Sequence, residues 1–212
     1  MIPSDVFDDV RAADGEFLGL DAYQAEFEEV YRDAAEVVWK LERAQHFHEP
    51  AVESWRAADA GDWALAVELI EEMRAPLTAM YRERAPFRRL RVVELPLTAY
   101  LQWEAQIFAV RVAAGEEIRV LGAPAVAPLE TRGPLPELVV FGPGLLYEVR
   151  YDEIGAAVGA RRVTDTAVVA PCLSALASLY DEGEDLLPFF DREVAPLPPP
   201  SGLSEKSSRI GP

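Results

Sequence analysis

Apolar residues recur three and four positions apart in the first part of the chain, and this spacing predicts helices. The first predicted helix begins at Asp21, a suitable N-cap, and places Tyr23, Phe27 and Tyr31 on one face. Residues 37–42 fit either a helix or an extended segment. Further helices are expected over residues 51–61, 63–73 and 77–84, so residues 1–86 form a helical N-terminal region.

The pattern changes at Phe87. Residues 89–95 and 118–121 read as strands, and residues 97–113 between them read as a helix that ends before Gly115. This order predicts a parallel βαβ unit. Residues 138–141 and 145–151 indicate a β-hairpin, followed by a short strand and a last helix that ends near Tyr180.

These elements predict an α+β (or α/β) fold, in which the helical region packs on a small mixed sheet. Residues 87–190 supply the βαβ unit, the hairpin and the C-terminal helix of the same compact unit. The Pro-rich residues 195–212 are expected to form a disordered tail.

The net charge of the chain limits the kinds of molecule that it is expected to bind. The 212 residues carry a net charge of -17, which repels a phosphate backbone and argues against direct nucleic-acid binding. Arginine nevertheless dominates residues 74–91, where a basic patch would dock an anionic partner or pair with the acidic N-terminal helix. We expect no disulfide, no signal peptide and no membrane contact, and hence a cytoplasmic protein.

Glu104 is the most unusual position, because it interrupts the apolar face of the helix over residues 97–113. A buried carboxylate needs a cation, and Arg91 and Arg119 on the flanking strands are the candidates. Tyr100 lies one turn away on the same face. The cluster of Arg91, Tyr100, Glu104 and Arg119 would fix the register of helix on sheet or line a pocket for a polar ligand; otherwise Glu104 simply reaches water.

The sequence contains weaker signals for metal binding and for a nucleophilic thiol. His46, His48 and Glu49 are candidate metal ligands, but the two histidines lie on opposite sides of a strand, or far apart around a helix. Cys172 lies among leucines and reads as a structural thiol. With no complete nucleophile or phosphate-binding motif, no catalytic residue and no cofactor are predicted.

The segments 90–104 and 114–121, with 40–47 upstream, resemble an uncharacterised actinobacterial family whose members often accompany Xre-type helix-turn-helix regulators. The hairpin at residues 136–141 departs from the Asp-Phe-Trp segment usual in that family. The order of elements is also similar to half of a phospholipase D-like domain, although the His-x-Lys motif of those enzymes is missing.

The resemblance implies a non-catalytic regulatory or interaction module that works with a transcription regulator or another partner protein, with ligand sensing as one form of that role. The alternative is an enzyme with an unrecognised site, built on Glu104 or on His46, His48 and Glu49.

Overall fold

The computed structural model describes residues 2–203. Its helices are α1 (Val6–Ala12), α2 (Leu20–Asp33), α3 (Glu53–Asp59), α4 (Trp63–Glu72), α5 (Arg74–Glu83), α6 (Ala99–Ala114), α7 (Ala123–Val126), α8 (Thr166–Glu182) and α9 (Leu186–Phe189). Its strands are β1 (Glu16–Gly19), β2 (Val38–Glu42), β3 (Phe87–Val93), β4 (Glu117–Gly122), β5 (Leu138–Phe141), β6 (Leu145–Tyr151), β7 (Ala157–Val163) and β8 (Glu184–Asp185).

The strands form one mixed sheet of eight in the order β1-β7-β6-β5-β2-β3-β4-β8. The three strands β2, β3 and β4 are parallel, and the remaining pairs are antiparallel. The predicted α+β class with a mixed sheet is confirmed, and the sheet contains both the βαβ unit and the hairpin.

The N-terminal region is not entirely helical, because it contributes β1 and β2 to the sheet. Residues 38–42 are extended, and β2 pairs with β3 on one side and β5 on the other, at the centre of the sheet. The β-branched and aromatic residues of this segment suit a strand that is bonded on both edges. Helix α2 begins at Leu20, one residue before the predicted cap.

Part of the expected tail packs against the domain. Leu203 is 2% exposed and belongs to the same apolar cluster as Trp103 and Phe189. Burial of a leucine side chain opposes the entropy of a loose chain, so the prediction of a disordered tail is corrected for residues 195–203. Residues 204–212 of that prediction lie outside the described residues.

Helices cover both faces of the sheet. Helices α1 and α8 pack on one face through Leu41, Leu90 and Leu176. On the other face, α6 covers β3 and β4, whereas α2 lies over the antiparallel strands β5 to β7. Since α2 and α6 stand apart on this face, the side chains of β2 and β3 between them form the floor of a cleft.

Candidate functional site

Four charged side chains of β2 and β3 lie beneath the cleft, and three of them, Lys40, Glu42 and Arg89, line it. Lys40 and Glu42 on β2 alternate with Leu41, and Arg89 and Arg91 on β3 alternate with Leu90. Successive side chains of a strand point to opposite faces, so all four charges lie on the α6 face while the leucines enter the opposite core. The parallel register sets Lys40 beside Arg89 and Glu42 beside Arg91.

Glu42 and Arg89 pair directly in this layer. The Arg89 Nη1 donates to Glu42 Oε2 over 2.8 Å, and Lys40 Nζ lies 2.6 Å from Glu42 Oε1. Burial would raise the pKa of Glu42, but Arg89 and Lys40 outweigh burial and hold the pKa well below its ordinary value. Glu42 is therefore ionised although it is almost entirely buried.

A second buried carboxylate, Glu116, continues the network toward α5. Arg89 Nε donates to Glu116 Oε1 over 2.6 Å, and Arg111 Nη1 lies 3.2 Å from Oε2. The Tyr81 hydroxyl donates to Glu116 and accepts a 3.0 Å hydrogen bond from Arg111. Burial again opposes ionisation, yet Arg89 and Arg111 lower the pKa of Glu116.

Glu104 belongs to a third group of contacts on α6, whose first turn is fixed by the Thr98 side chain accepting from Leu101 N. Arg91 Nε donates to Glu104 Oε2 over 2.7 Å, with both residues buried. The Tyr100 Oη lies 3.0 Å from Glu104 Oε1 and 2.8 Å from Glu49 Oε2.

The contacts of Tyr100 require an additional proton. A tyrosine hydroxyl carries one hydrogen and can donate to only one carboxylate, so the other contact needs a protonated carboxyl group that donates to Tyr100 Oη. Burial raises the pKa of Glu104 to about 7, against the lowering effect of Arg91, and burial also raises the pKa of Glu49. Glu49, Tyr100 and Glu104 therefore form one hydrogen-bonded unit, in which burial favours the protonated form of both carboxyl groups.

The structure brings together three of the four residues predicted for this cluster, namely Arg91, Tyr100 and Glu104. Arg119 lies elsewhere: its Nε donates to Asp185 over 3.2 Å and its guanidinium stacks on Tyr180, 4.9 Å from the ring centroid. Arg119 alternates with Ile118 and Val120, which pack under α6, so its side chain points to the opposite face of the sheet.

The predicted metal ligands do not converge. The His46 ring packs against Tyr100, with the centroids 5.2 Å apart, and the His48 ring packs against Trp55 at 4.9 Å. Within residues 2–203, no group of three or more His, Cys, Asp or Glu side chains is placed to hold a metal ion. Glu49 instead bonds Tyr100.

The arginine-rich segment pairs with acidic residues, which was one of its two predicted roles. Arg84 bonds Glu28 on α2 over 3.0 Å, and Arg88 bonds Glu117 over 3.0 Å. Arg89 is buried in the network described above. The acidic helix α2 is therefore held beside the sheet by charge as well as by apolar contacts.

Two adjoining cavities open above the charged floor. One, of about 560 Å³, lies between α2 and α5 and has aromatic walls. The other, of about 480 Å³, reaches the Glu49–Tyr100–Glu104 unit beside α6. Four side chains line both cavities, namely Gln24, Lys40, Arg89 and Arg111. The cavities therefore meet there, and we call the combined space the α2–α6 cleft.

Residues 25–191 match the model of a family described as a domain of unknown function, DUF6879, and this match covers more than half of the chain. The protein belongs to that family, which confirms the expectation of an uncharacterised family. No curated protein shows significant similarity to the chain. Among the described residues, no helix has the length and apolar character that crossing a membrane requires.

Proposed function

We propose that this protein is a non-catalytic regulatory module that binds a small polar ligand in the α2–α6 cleft. One observation carries the proposal: charged side chains occupy the floor of a cleft on the central strands β2 and β3. The core side of a central strand normally carries apolar residues instead. Burying an ionised group costs roughly several kcal/mol unless an opposite charge compensates it. An enclosed site with a few convergent polar groups is the usual form of a ligand pocket.

The regulatory half of the proposal rests on the resemblance to a family found beside Xre-type regulators. Binding of a ligand would change the separation of α2 and α6, and a partner protein such as a transcription regulator would respond to that change. Cytoplasmic location is part of the same proposal.

A thermal-shift screen of small molecules tests the binding proposal. Gln24 is exposed on α2 and lines both cavities, so Gln24→Trp should fill the place where they meet. Ala25→Trp adds the same indole to an exposed position of the same helix that lines neither cavity and serves as the control. Compounds that raise the melting temperature of wild type and Ala25→Trp, but not of Gln24→Trp, would support the cleft. Equal stabilisation of both variants, or no stabilising compound, would count against it.

Acid–base catalysis is a second candidate, favoured by the Glu49–Tyr100–Glu104 unit. A carboxyl group that holds a proton near pH 7 beside a cavity has the property of a general acid. Mass spectrometry of the stabilising compounds after incubation would reveal turnover, and Glu104→Gln should abolish turnover while binding is retained. Unchanged compounds after prolonged incubation would favour the non-catalytic module.

A further inference from the structure

The place where the two cavities meet has an excess of positive charge. Three of its four side chains are the cations Lys40, Arg89 and Arg111. Two carboxylates touch them: Glu42 bonds Lys40 and Arg89, and Glu116 bonds Arg89 and Arg111. Three positive charges against two negative ones leave one cation without a counter-charge in this group.

The other acidic groups near the cleft have partners of their own. Glu104 pairs with Arg91, and the Tyr100 hydroxyl bridges Glu104 and Glu49. Glu28, which lines the aromatic cavity, pairs with Arg84. Burial raises the pKa of Glu49, which lines the adjoining cavity, and Lys40 and Arg111 offset this only in part. Glu49 bonds Tyr100 rather than either cation.

Hydrogen-bond donors also remain at this point. An ammonium has three N–H groups and a guanidinium has five. Among residues 2–203, Lys40 Nζ has the single partner Glu42, Arg111 bonds through Nη1, and Arg89 bonds through Nε and Nη1. The Nη2 atoms of both arginines are thus available to donate to an acceptor. Among the described residues, neither Nη2 belongs to the fully buried polar atoms without a hydrogen-bond partner.

Aromatic rings enclose the adjoining cavity. Tyr23, Phe27 and Tyr31 of α2 line it together with Phe87 of β3 and Tyr81 of α5. The Tyr31 and Phe87 rings pack edge to face, with their centroids 5.6 Å apart. Planar apolar groups pack favourably against such rings. The cleft therefore combines a cationic centre with an aromatic chamber, in a chain whose net charge of -17 offers no general attraction for anions.

We propose that Lys40, Arg89 and Arg111 form an oxyanion site that binds the carboxylate or phosphate group of a small molecule, whose ring occupies the aromatic chamber. This inference rests on the proposed function and specifies its ligand class. Lys40 and Arg111 would contact the oxyanion from the more open side, since each keeps part of its side chain exposed, while Arg89 would contact it from the floor.

Calorimetric titration with four probes at constant ionic strength tests the site. The probes are phenyl phosphate, benzoate, inorganic phosphate and neutral phenol. The aromatic anions should bind more tightly than inorganic phosphate or phenol, because only they fill both parts of the cleft. The comparison of phenyl phosphate with benzoate shows which oxyanion is preferred.

Lys40→Gln and Arg111→Gln should each weaken binding of the aromatic anions by about tenfold or more, since each removes a charge-assisted hydrogen bond. Lys40→Arg keeps the positive charge and should retain binding. It therefore shows whether Lys40→Gln loses binding through the missing charge or through misfolding. Arg132→Gln removes the same charge from an exposed position outside both cavities and should change affinity by less than about twofold.

Equal affinity of the aromatic anions for wild type, Lys40→Gln and Arg111→Gln would overturn the oxyanion site. If phenol or another neutral compound then binds and Gln24→Trp blocks it, the ligand-binding proposal stands and only the anion class fails. If no probe and no screened compound binds in the cleft, both proposals fail together.

Discussion

Replacing Arg91 with methionine would leave the buried Glu104 carboxylate without its cation. The Nε–Oε2 distance is 2.7 Å, and Arg91 and Glu104 are only 1% and 5% exposed. Tyr100 would still bond Glu104, so the loss is mainly one of charge compensation. Unfolding free energy should therefore fall sharply although methionine fills most of the arginine's volume.

The size of this loss follows from the separation of the charges. With the charge centres about 4 Å apart and an effective dielectric constant of about 20, the attraction is about 4 kcal/mol. Breaking a buried ion pair from one side typically costs about 3–5 kcal/mol. A carboxyl group with a pKa of about 7 can instead take up a proton, at a cost of about 1.4 kcal/mol per pH unit above 7. We therefore expect the loss in Arg91→Met to reach that range only at about pH 9.5.

Urea unfolding at about pH 9.5, followed by circular dichroism, would measure the change. In the double variant Arg91→Met/Glu104→Met both charges of this pair are removed, so much of the stability should return and the two single losses should not add. Arg119→Met is the matched control: its partner Asp185 is largely exposed, and the cost should be about 1 kcal/mol or less. A loss at Arg91 no larger than at Arg119, or additive single losses, would refute the buried pair.

Three further predictions concern pH, backbone conformation and thiol reactivity. The pKa of Glu104 rises from its ordinary 4.5 to about 7, so the folded protein holds a proton that the unfolded chain releases; this stability is complete below pH 4.5 and is lost as pH rises through 7. Urea midpoints between pH 5 and 8 should thus fall less in Glu104→Gln than in wild type; identical slopes would contradict the assignment. Gly159→Ala should cost about 2 kcal/mol or more in thermal unfolding, because φ is +145° and the new Cβ would meet the Leu18 carbonyl oxygen at 2.1 Å, whereas Gly144→Ala, in open space, should be nearly neutral. Cys172 is buried and its pKa is raised by burial to about 12, so a thiol reagent should modify it only after unfolding; rapid labelling of the folded protein would disprove its burial.

The sequence identified Glu104 because a single carboxylate interrupts an otherwise apolar helix face. Periodicity also located the helix, its Gly115 end and the two flanking strands, since each depends on local spacing and turn chemistry. Arg91 was recoverable for the same reason, as the nearest cation on a strand beneath that helix.

Arg119 does not join the Glu104 cluster, because strand alternation turns its side chain away from α6. Ile118 and Val120 both belong to the core under α6, and that pairing alone sends Arg119 to the other face. Glu42 and Lys40 were missed because residues 37–42 fit two kinds of element, and only the extended form places both charges on one face. Their contact with Arg89 depends on the non-local pairing of β2 with β3, which local spacing does not specify.

An amide chemical-shift map of the isotope-labelled protein, titrated with phenyl phosphate, tests the central claim most directly. Ligand binding in the α2–α6 cleft predicts that the largest shifts fall on α2, on residues 38–42 of β2 and on residues 87–91 of β3. Small, uniform shifts, or shifts concentrated around Arg119 and Asp185 on the far side of the sheet, would contradict it.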